Sequence, residues 1–423
     1  MDLVLKDVRI LDSQSPFHDT IQNILIRNGI IDKIGKTNFR GDKIINGTDL
    51  SVSCGWFDMR ANFNDPGLEY KEDIYTGAAT ASAGGFTGVA ILPNTEPVIQ
   101  SKGQIEYIKS KSRGLVSEVL PMAAVTLDVQ GKDLTEMIDL HHAGAVCFTD
   151  GEQPIWNPDV LLKSLLYIQK FNGLLINRPE DRMLTQFGDM NEGLVSTGLG
   201  MKGMPALAEE LMLKRDLDIL KYTGGKIHFS TISSKGAVKI IRKAKKDGLN
   251  VTCDVSIHHL IYTENFLEDF DTNFKSNPPF RTESDKKALI RGLADGTIDA
   301  IVSSHQPQDE ENKKLEFDKA AFGLSGLQTF FPNLLQIAED IDLSLLLEKI
   351  TSAPRAVLDL SKVHIDEKQP ANLTLFSRNQ EWFFDTSTNY SKSTNSPAFQ
   401  TTLKGKVLGT INREKSYFDS IVD

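Results

Sequence analysis

The sequence predicts an α/β protein: a (β/α)8, or TIM, barrel over residues 54–365 and a small β-sandwich domain built from residues 1–53 and 366–423. Three observations predict it. From about residue 54, short β-rich runs alternate with helix-period segments, and eight runs can be counted: 57–62, 89–94, 119–125, 145–150, 174–178, 227–231, 251–255 and 300–304. Parallel strands need a crossover between neighbours, and eight of them close a barrel. The two ends of the chain lack that alternation and read as strands joined by tight turns. Finally, no Gly-x-Gly-x-x-Gly turn follows any strand, which leaves the open doubly wound sheet as a runner-up without its usual support.

In order along the chain, strands are expected at 3–10, 24–27 and 30–34. Asn28-Gly29 joins the last two, because both residues tolerate the positive φ of a tight hairpin turn. Helices are expected at 205–222, 235–246 and 284–294, the second stopped by Gly248. The charge run Asp309-Glu310-Glu311-Asn312-Lys313-Lys314 follows the eighth strand, as a solvated loop or a lid. A helical stretch at 324–353 precedes late strands at 371–376 and 404–411, which are expected to complete the N-terminal β unit.

At 423 residues, with 40% hydrophobic and 25% charged residues, the chain can bury one large domain and one small one. A net charge of −10 argues against nucleic acid or an anionic membrane as partner, since phosphate binding needs a basic surface. No apolar run approaches the roughly 20 residues that span a bilayer. The opening Met1-Asp2-Leu3-Val4-Leu5-Lys6-Asp7 carries charges inside its apolar run and does not read as a signal peptide. Cys54, Cys147 and Cys253 are odd in number and set among apolar residues. That fits core positions in a reducing cytoplasm, the expected location.

A barrel gathers its chemistry at the C-terminal ends of its strands. Here those ends carry Arg60, Asn62, Asn94, Asp150, Arg178, Thr231 and Ser304. They make a polar pocket with one carboxylate, two guanidinium groups, amides and hydroxyls. A zinc site needs three or four N, S or O ligands, usually including His, and this ring offers one. Ser304 and His305 are neighbours that point to opposite sides of a strand, so no Ser-His-Asp triad is supported.

The stretch Asp58-Met59-Arg60-Ala61-Asn62-Phe63-Asn64-Asp65-Pro66-Gly67 resembles the first barrel strand of the amidohydrolase superfamily in its dihydroorotase branch, where Asp-Met-His-x-His-x-Arg-x-Pro-Gly supplies two zinc ligands and a substrate arginine. Leu92-Pro93-Asn94-Thr95, Cys147-Phe148-Thr149-Asp150, Ser233-Ser234-Lys235-Gly236, His258-His259-Leu260 and Asn277-Pro278-Pro279-Phe280-Arg281 extend the resemblance over almost the whole chain. By that resemblance Asn94 keeps a substrate asparagine and Asp150 a metal-supporting aspartate. The departures fall on the chemistry. Arg60 and Asn62 stand at histidine positions and Asn64 at the arginine position. Arg178 and Thr231 stand at further ligand histidines, Ser304 at the general-base aspartate, and Gln308 at a substrate histidine.

The resemblance implies hydrolysis of a cyclic amide, dihydroorotate, by a zinc-bound hydroxide. The metal lowers the pKa of its water from about 16 to about 7. A guanidinium cannot ligate a cation, because it stays protonated and offers no lone pair. The expectation is therefore a dihydroorotase-like protein of pyrimidine biosynthesis without a zinc cofactor and without catalysis, acting as a binding or scaffold partner. Candidate partners are aspartate transcarbamoylase or an active dihydroorotase, with self-association as a dimer. The alternative is a working dihydroorotase or cyclic-imide hydrolase with an atypical metal site. Substrate-binding candidates are Asn94, Asn64, Asn277 and Gln308; degenerate metal positions are Arg60, Asn62, Asp150, Arg178 and Thr231.

Plainer roles stand beside these. Arg60 and Arg178 are expected to fill the former metal positions and to pair with Asp150, a structural task as opposed to recognition of a ligand anion. His258 and His259 read as hydrogen-bonded core histidines, Asn94 and Asn277 as turn formers, and Glu180 and Asp181 as solvated helix-start carboxylates.

Overall fold

The computed structural model describes residues 2–47 and 49–420; Met1 and residues 421–423, at the outer ends of the ranges expected for the small domain, lie outside the described residues, as does Thr48. The chain opens with strands β1 (Asp2–Ile10), β2 (Ile21–Arg27), β3 (Ile30–Gly35), β4 (Lys43–Asn46) and β5 (Ser51–Cys54). Asn28 and Gly29 both take positive φ, 48° and 71°, as the hairpin turn between β2 and β3 requires. β1 pairs in parallel with β4 through Leu3–Lys6 and with β5 through Arg9 and Ile10, changing partner across an irregularity between Leu5 and Val8. One strand thus serves two parts of the sheet.

The barrel strands follow: β6 (Trp56–Ala61), β7 (Phe86–Ile91), β8 (Glu118–Pro121) and β9 (Leu175–Asn177). After a short pair, β10 (Met190–Asn191) and β11 (Gly203–Met204), come β12 (Ile227–Phe229), β13 (Val251–Ser256) and β14 (Ala300–Val302). Parallel ladders join β6-β7-β8 and β9-β12-β13-β14. Single parallel bridges close the ring: Ala123 to Phe148, Phe148 to Leu175, and Ala61 to His305. The fourth position, expected as a strand over 145–150, is therefore held by isolated bridges at Phe148 instead of a continuous ladder. The third strand is also shorter than its apolar run, ending at Pro121, which has no N–H to donate.

The helices at Ala206–Thr223, Lys235–Lys246 and Glu283–Ala294 lie within a residue of their expected bounds. The stretch expected to be helical over 324–353 is instead broken into Phe330–Ile337, Leu343–Glu348 and Ser352–Val357. Asp342 starts the second piece by accepting the Ser344 amide, a cap that competes with helix continuation. Among the described residues no helix is long and apolar enough to cross a membrane.

The last strands, β15 (Asn372–Phe384), β16 (Thr401–Asn412) and β17 (Lys415–Phe418), return to β1–β5, with β15 antiparallel to β5. The terminal sheet runs β17-β16-β15-β5-β1-β2-β3 and keeps its own core, including Leu5, Ile24, Val52, Leu373 and Leu408. It meets the barrel at Trp56, fully buried at the start of β6, whose ring lies 5.7 Å from Phe376 and 5.4 Å from Phe331. Cys54, Cys147 and Cys253 are buried and unpaired, and burial pushes all three thiols up, away from reactivity.

Candidate functional site at the barrel mouth

Side chains alternate along a strand, so Arg60 at the end of β6 and Arg178 just beyond β9 both turn inward at the C-terminal end of the barrel. They are almost completely buried, at 4% and 6% exposure, and need an acceptor there. Both find Glu152. The Arg60 Nη2 lies 3.1 Å from Glu152 Oε2 and the Arg178 Nη1 3.5 Å from the same oxygen. Asn62 Nδ2 donates to the other oxygen, Oε1, at 3.0 Å. Arg178 Nη2 also pairs with Glu180 at 2.5 Å and its Nη1 donates to the Asn277 carbonyl at 3.4 Å. Burial on its own would raise the Glu152 carboxyl. Arg60 and Arg178 override it and hold the group below its ordinary value.

The pairing of both arginines with Asp150 expected from sequence is thus overturned. Asp150 is buried, and its carboxylate turns away to accept the Val125 and Thr126 amides at 3.0 and 2.9 Å and the Thr126 hydroxyl at 2.6 Å. These neutral donors offset burial only in part, and its carboxyl is pushed up to about 6. Asn94 joins the two acids without touching either carboxylate. Its Nδ2 donates to the Asp150 carbonyl and its Oδ1 accepts the Glu152 amide, which fixes the 150–152 turn. Both ends of that side chain are spent on backbone.

Of the remaining candidates, Thr231 donates its amide to Asp254 Oδ1 at 2.6 Å and sits at φ 57°, a conformation that costs a β-branched residue on the order of 1–3 kcal/mol. Asp254 also meets His228 Nε2 at 2.9 Å and accepts the Ser230 hydroxyl at 3.2 Å, and Ser230 in turn accepts from Arg60 Nη1 at 3.2 Å. Ser304 is half-buried at φ 48°. Asn64 is buried at φ 58° with its Nδ2 unpartnered. Gln308 donates Nε2 to the Phe322 carbonyl while its Oε1 is buried without a partner. Asn277 donates to Glu180 at 3.4 Å. The structure therefore gathers Arg60, Asn62 and Arg178 on one carboxylate, with Asn277 at its edge, and leaves Asn64, Asn94, Asp150, Thr231, Ser304 and Gln308 outside that cluster.

Two carboxylates of this cluster were missed or misjudged in the sequence. Glu152 lies two residues past the strand end, beyond where strand termini direct attention; the signal for it was two inward arginines with too few acids to balance them. Glu180 is an ion-pair partner of Arg178, not a solvated helix-start residue. Asp181 does take that role, accepting the Met183 and Leu184 amides as a helix cap. His259 Nε2 donates to the Pro278 carbonyl at 3.0 Å, as a core histidine should. His258 corrects the expectation, since neither ring nitrogen has a hydrogen-bond partner, and burial pushes it down to about 3.

A cavity of about 360 Å³ opens above the cluster, lined by Glu152, Arg178, Glu180, Asn277, Gln306 and Phe322 among others. Its neighbourhood after the eighth strand is anchored rather than loose. Lys313, inside the charge run read as a loop or lid, is buried and donates to the Ala321 carbonyl at 3.0 Å and the Gly323 carbonyl at 3.2 Å.

An eight-position parallel barrel with a mouth-end polar site and a β domain from both termini is the architecture of the cyclic-amide amidohydrolases. The structure superposes on the L-hydantoinase (dihydropyrimidinase) of Arthrobacter aurescens with a TM-score of 0.86 at 20% identity, covering 99% of this chain and 96% of that one. A dihydro-orotase-like family model matches residues 51–237. The chain is 36% identical over 424 residues to a dihydroorotase of Trichlorobacter lovleyi, covering 99% of each, and 38% identical over 403 residues to one of Ruminiclostridium cellulolyticum, covering 94% of each. It belongs to the dihydroorotase family.

Proposed function

We propose that this dihydroorotase-like protein does not hydrolyse dihydroorotate and serves pyrimidine biosynthesis as a non-catalytic binding or scaffold partner. The observation that carries this reading is that Arg60 and Arg178, at positions where the family resemblance places zinc ligands, both close on Glu152. Zinc does not fit these side chains. The five positions offer two guanidinium groups, an amide, a hydroxyl and Asp150, whose oxygens already accept three hydrogen bonds. Among the described residues no group of three His, Cys, Asp or Glu side chains could hold a metal ion. A cation entering the mouth would meet two fixed positive charges, and at short range their repulsion is large in a buried setting.

The base is missing as well. Ser304 stands where an aspartate would take a proton, and a hydroxyl with an ordinary alcohol pKa does not accept one at neutral pH. Aspartate transcarbamoylase is the partner the family resemblance suggests, and a barrel kept without its chemistry is compatible with a scaffold role, since a fold does not fix its function. The test is a dihydroorotate hydrolysis assay on the purified protein with and without added zinc. No turnover above the uncatalysed rate is expected in either condition, and zinc-dependent turnover would return the chain to the working hydrolases.

A further inference from the structure

The helix Lys235–Lys246 buries Ala237, Val238, Ile241 and Ala244 and turns positions 235, 239, 243 and 246 to solvent. All four are lysine. Other lysines on short helices and turns of this molecule pair with an acid about one turn away, as Lys163 does with Asp159, Lys287 with Glu283 and Lys319 with Glu316. This helix contains no acidic residue, and Lys239, Lys243 and Lys246 form no ion pair among the described residues. Like charges one turn apart work against a helix; Lys243 and Lys246 gain from the dipole of its last turn, but the stripe has no acid on the helix to pair with.

The charge is concentrated rather than spread. Residues 206–247 carry ten Lys and Arg against five Asp and Glu in a chain of net charge −10. Two of those acids, Glu209 and Asp216, are buried, so they do little to offset the outer surface. The adjacent helix Ala206–Thr223 adds apolar groups to the same outer layer: Leu207 is 50% exposed, Leu211 42% and Tyr222 81%. Protein interfaces set aromatic side chains inside a polar rim, and Tyr222 beside the lysine stripe has that arrangement.

We propose that the outer face of these two helices is the docking surface for a partner protein, and that the partner presents a row of carboxylates to the lysine stripe, beside the exposed Leu207, Leu211 and Tyr222. The inference deepens the scaffold reading and rests on it. An acidic surface meeting this face gains charge complementarity that speeds encounter and fixes register, and loses it steeply with salt.

The test measures association of the full chain with aspartate transcarbamoylase of the same organism by calorimetry and gel filtration. The triple variant Lys239→Glu/Lys243→Glu/Lys246→Glu is expected to weaken association by at least about tenfold, with added salt eroding the parent's affinity toward the variant's. Lys404→Glu/Lys415→Glu, on exposed positions of the terminal sheet, is expected to leave it unchanged. Lys→Arg at the three stripe positions, which keeps the charge, is expected to bind like the parent. Association that survives the triple reversal overturns the docking surface and leaves the scaffold reading standing. If the parent does not associate at all, the transcarbamoylase reading falls and the surface falls with it.

Discussion

The barrel holds its buried acids in two ways, one within the frame and one at the mouth. In the frame, Asp58 accepts the Ser303 amide at 3.0 Å and the Ser303 hydroxyl, while Asp150 accepts from Val125 and Thr126. All of these donors are neutral. At the mouth, Glu152 and Glu180 face guanidinium groups. Burial wins in the frame, pushing Asp58 up to about 7 and Asp150 to about 6, whereas charge wins at the mouth, where Glu152 is held below its ordinary value. Neutral donors position Asp58 and Asp150, whereas the two arginines keep Glu152 ionised; one arginine is not enough elsewhere, since Asp216 beside Arg215 is still pushed up to about 6. The difference separates two regions of one barrel: the frame uses its acids to orient backbone turns, while the mouth closes two guanidinium groups on a shared carboxylate.

The largest expected effect comes from removing the acid the arginines share. Glu152→Ala leaves Arg60 with no carboxylate and Arg178 with Glu180 alone. Breaking a buried pair costs roughly 3–5 kcal/mol. Because the Glu152 side chain is 18% exposed, the lower end of that range is expected in urea unfolding. The same experiment on the frame should be milder: Thr126→Val removes one neutral donor from Asp150, at about 1–3 kcal/mol. A Glu152→Ala protein no less stable than Thr126→Val would erase the contrast.

Acidity separates the two regions by sign. Asp58 and Asp150 bind a proton more tightly folded than unfolded, so on their account stability falls as pH rises from about 4 toward their folded values. Glu152 runs the other way: its contribution is present above the unfolded value near 4.5 and is lost as pH falls through its lower folded value. Urea midpoints measured across pH should show Glu152→Gln flattening the acid limb. Ser303→Ala, which strips Asp58 of its hydroxyl donor and so raises its folded value further, should extend the decline above about pH 7. Identical pH profiles for the two variants would contradict the assignment.

The frame was legible in the sequence because periodicity and turn chemistry are local. The Asn28-Gly29 hairpin and the helix at Lys235–Lys246 follow from neighbouring residues alone, and Arg60, Asn62 and Arg178 were placed at strand ends by the same reasoning. The partner of those arginines was not legible. Asp150 looked available because nothing in the sequence shows that the Val125 and Thr126 amides, about 25 positions earlier, consume it. Glu152 sits in a turn whose direction is set by Asn94, a contact between residues 58 apart. Such closures depend on tertiary packing, and no spacing rule encodes them.

Placing two histidines on the first barrel strand tests the proposed absence of a zinc site. Arg60→His/Asn62→His is expected to yield no dihydroorotate turnover with zinc supplied, since Arg178, Thr231 and Ser304 still withhold further ligands and the base. Groups that act as a unit give little when returned piecemeal.

The measurement closest to the central claim is the zinc content of the protein purified from zinc-supplemented medium and dialysed mildly. With Arg60 and Arg178 closed on Glu152, far less than one zinc per chain is expected, and added chelator should leave the unfolding midpoint unmoved. About one zinc or more retained per chain, with a midpoint that falls when chelator is added, would contradict the account.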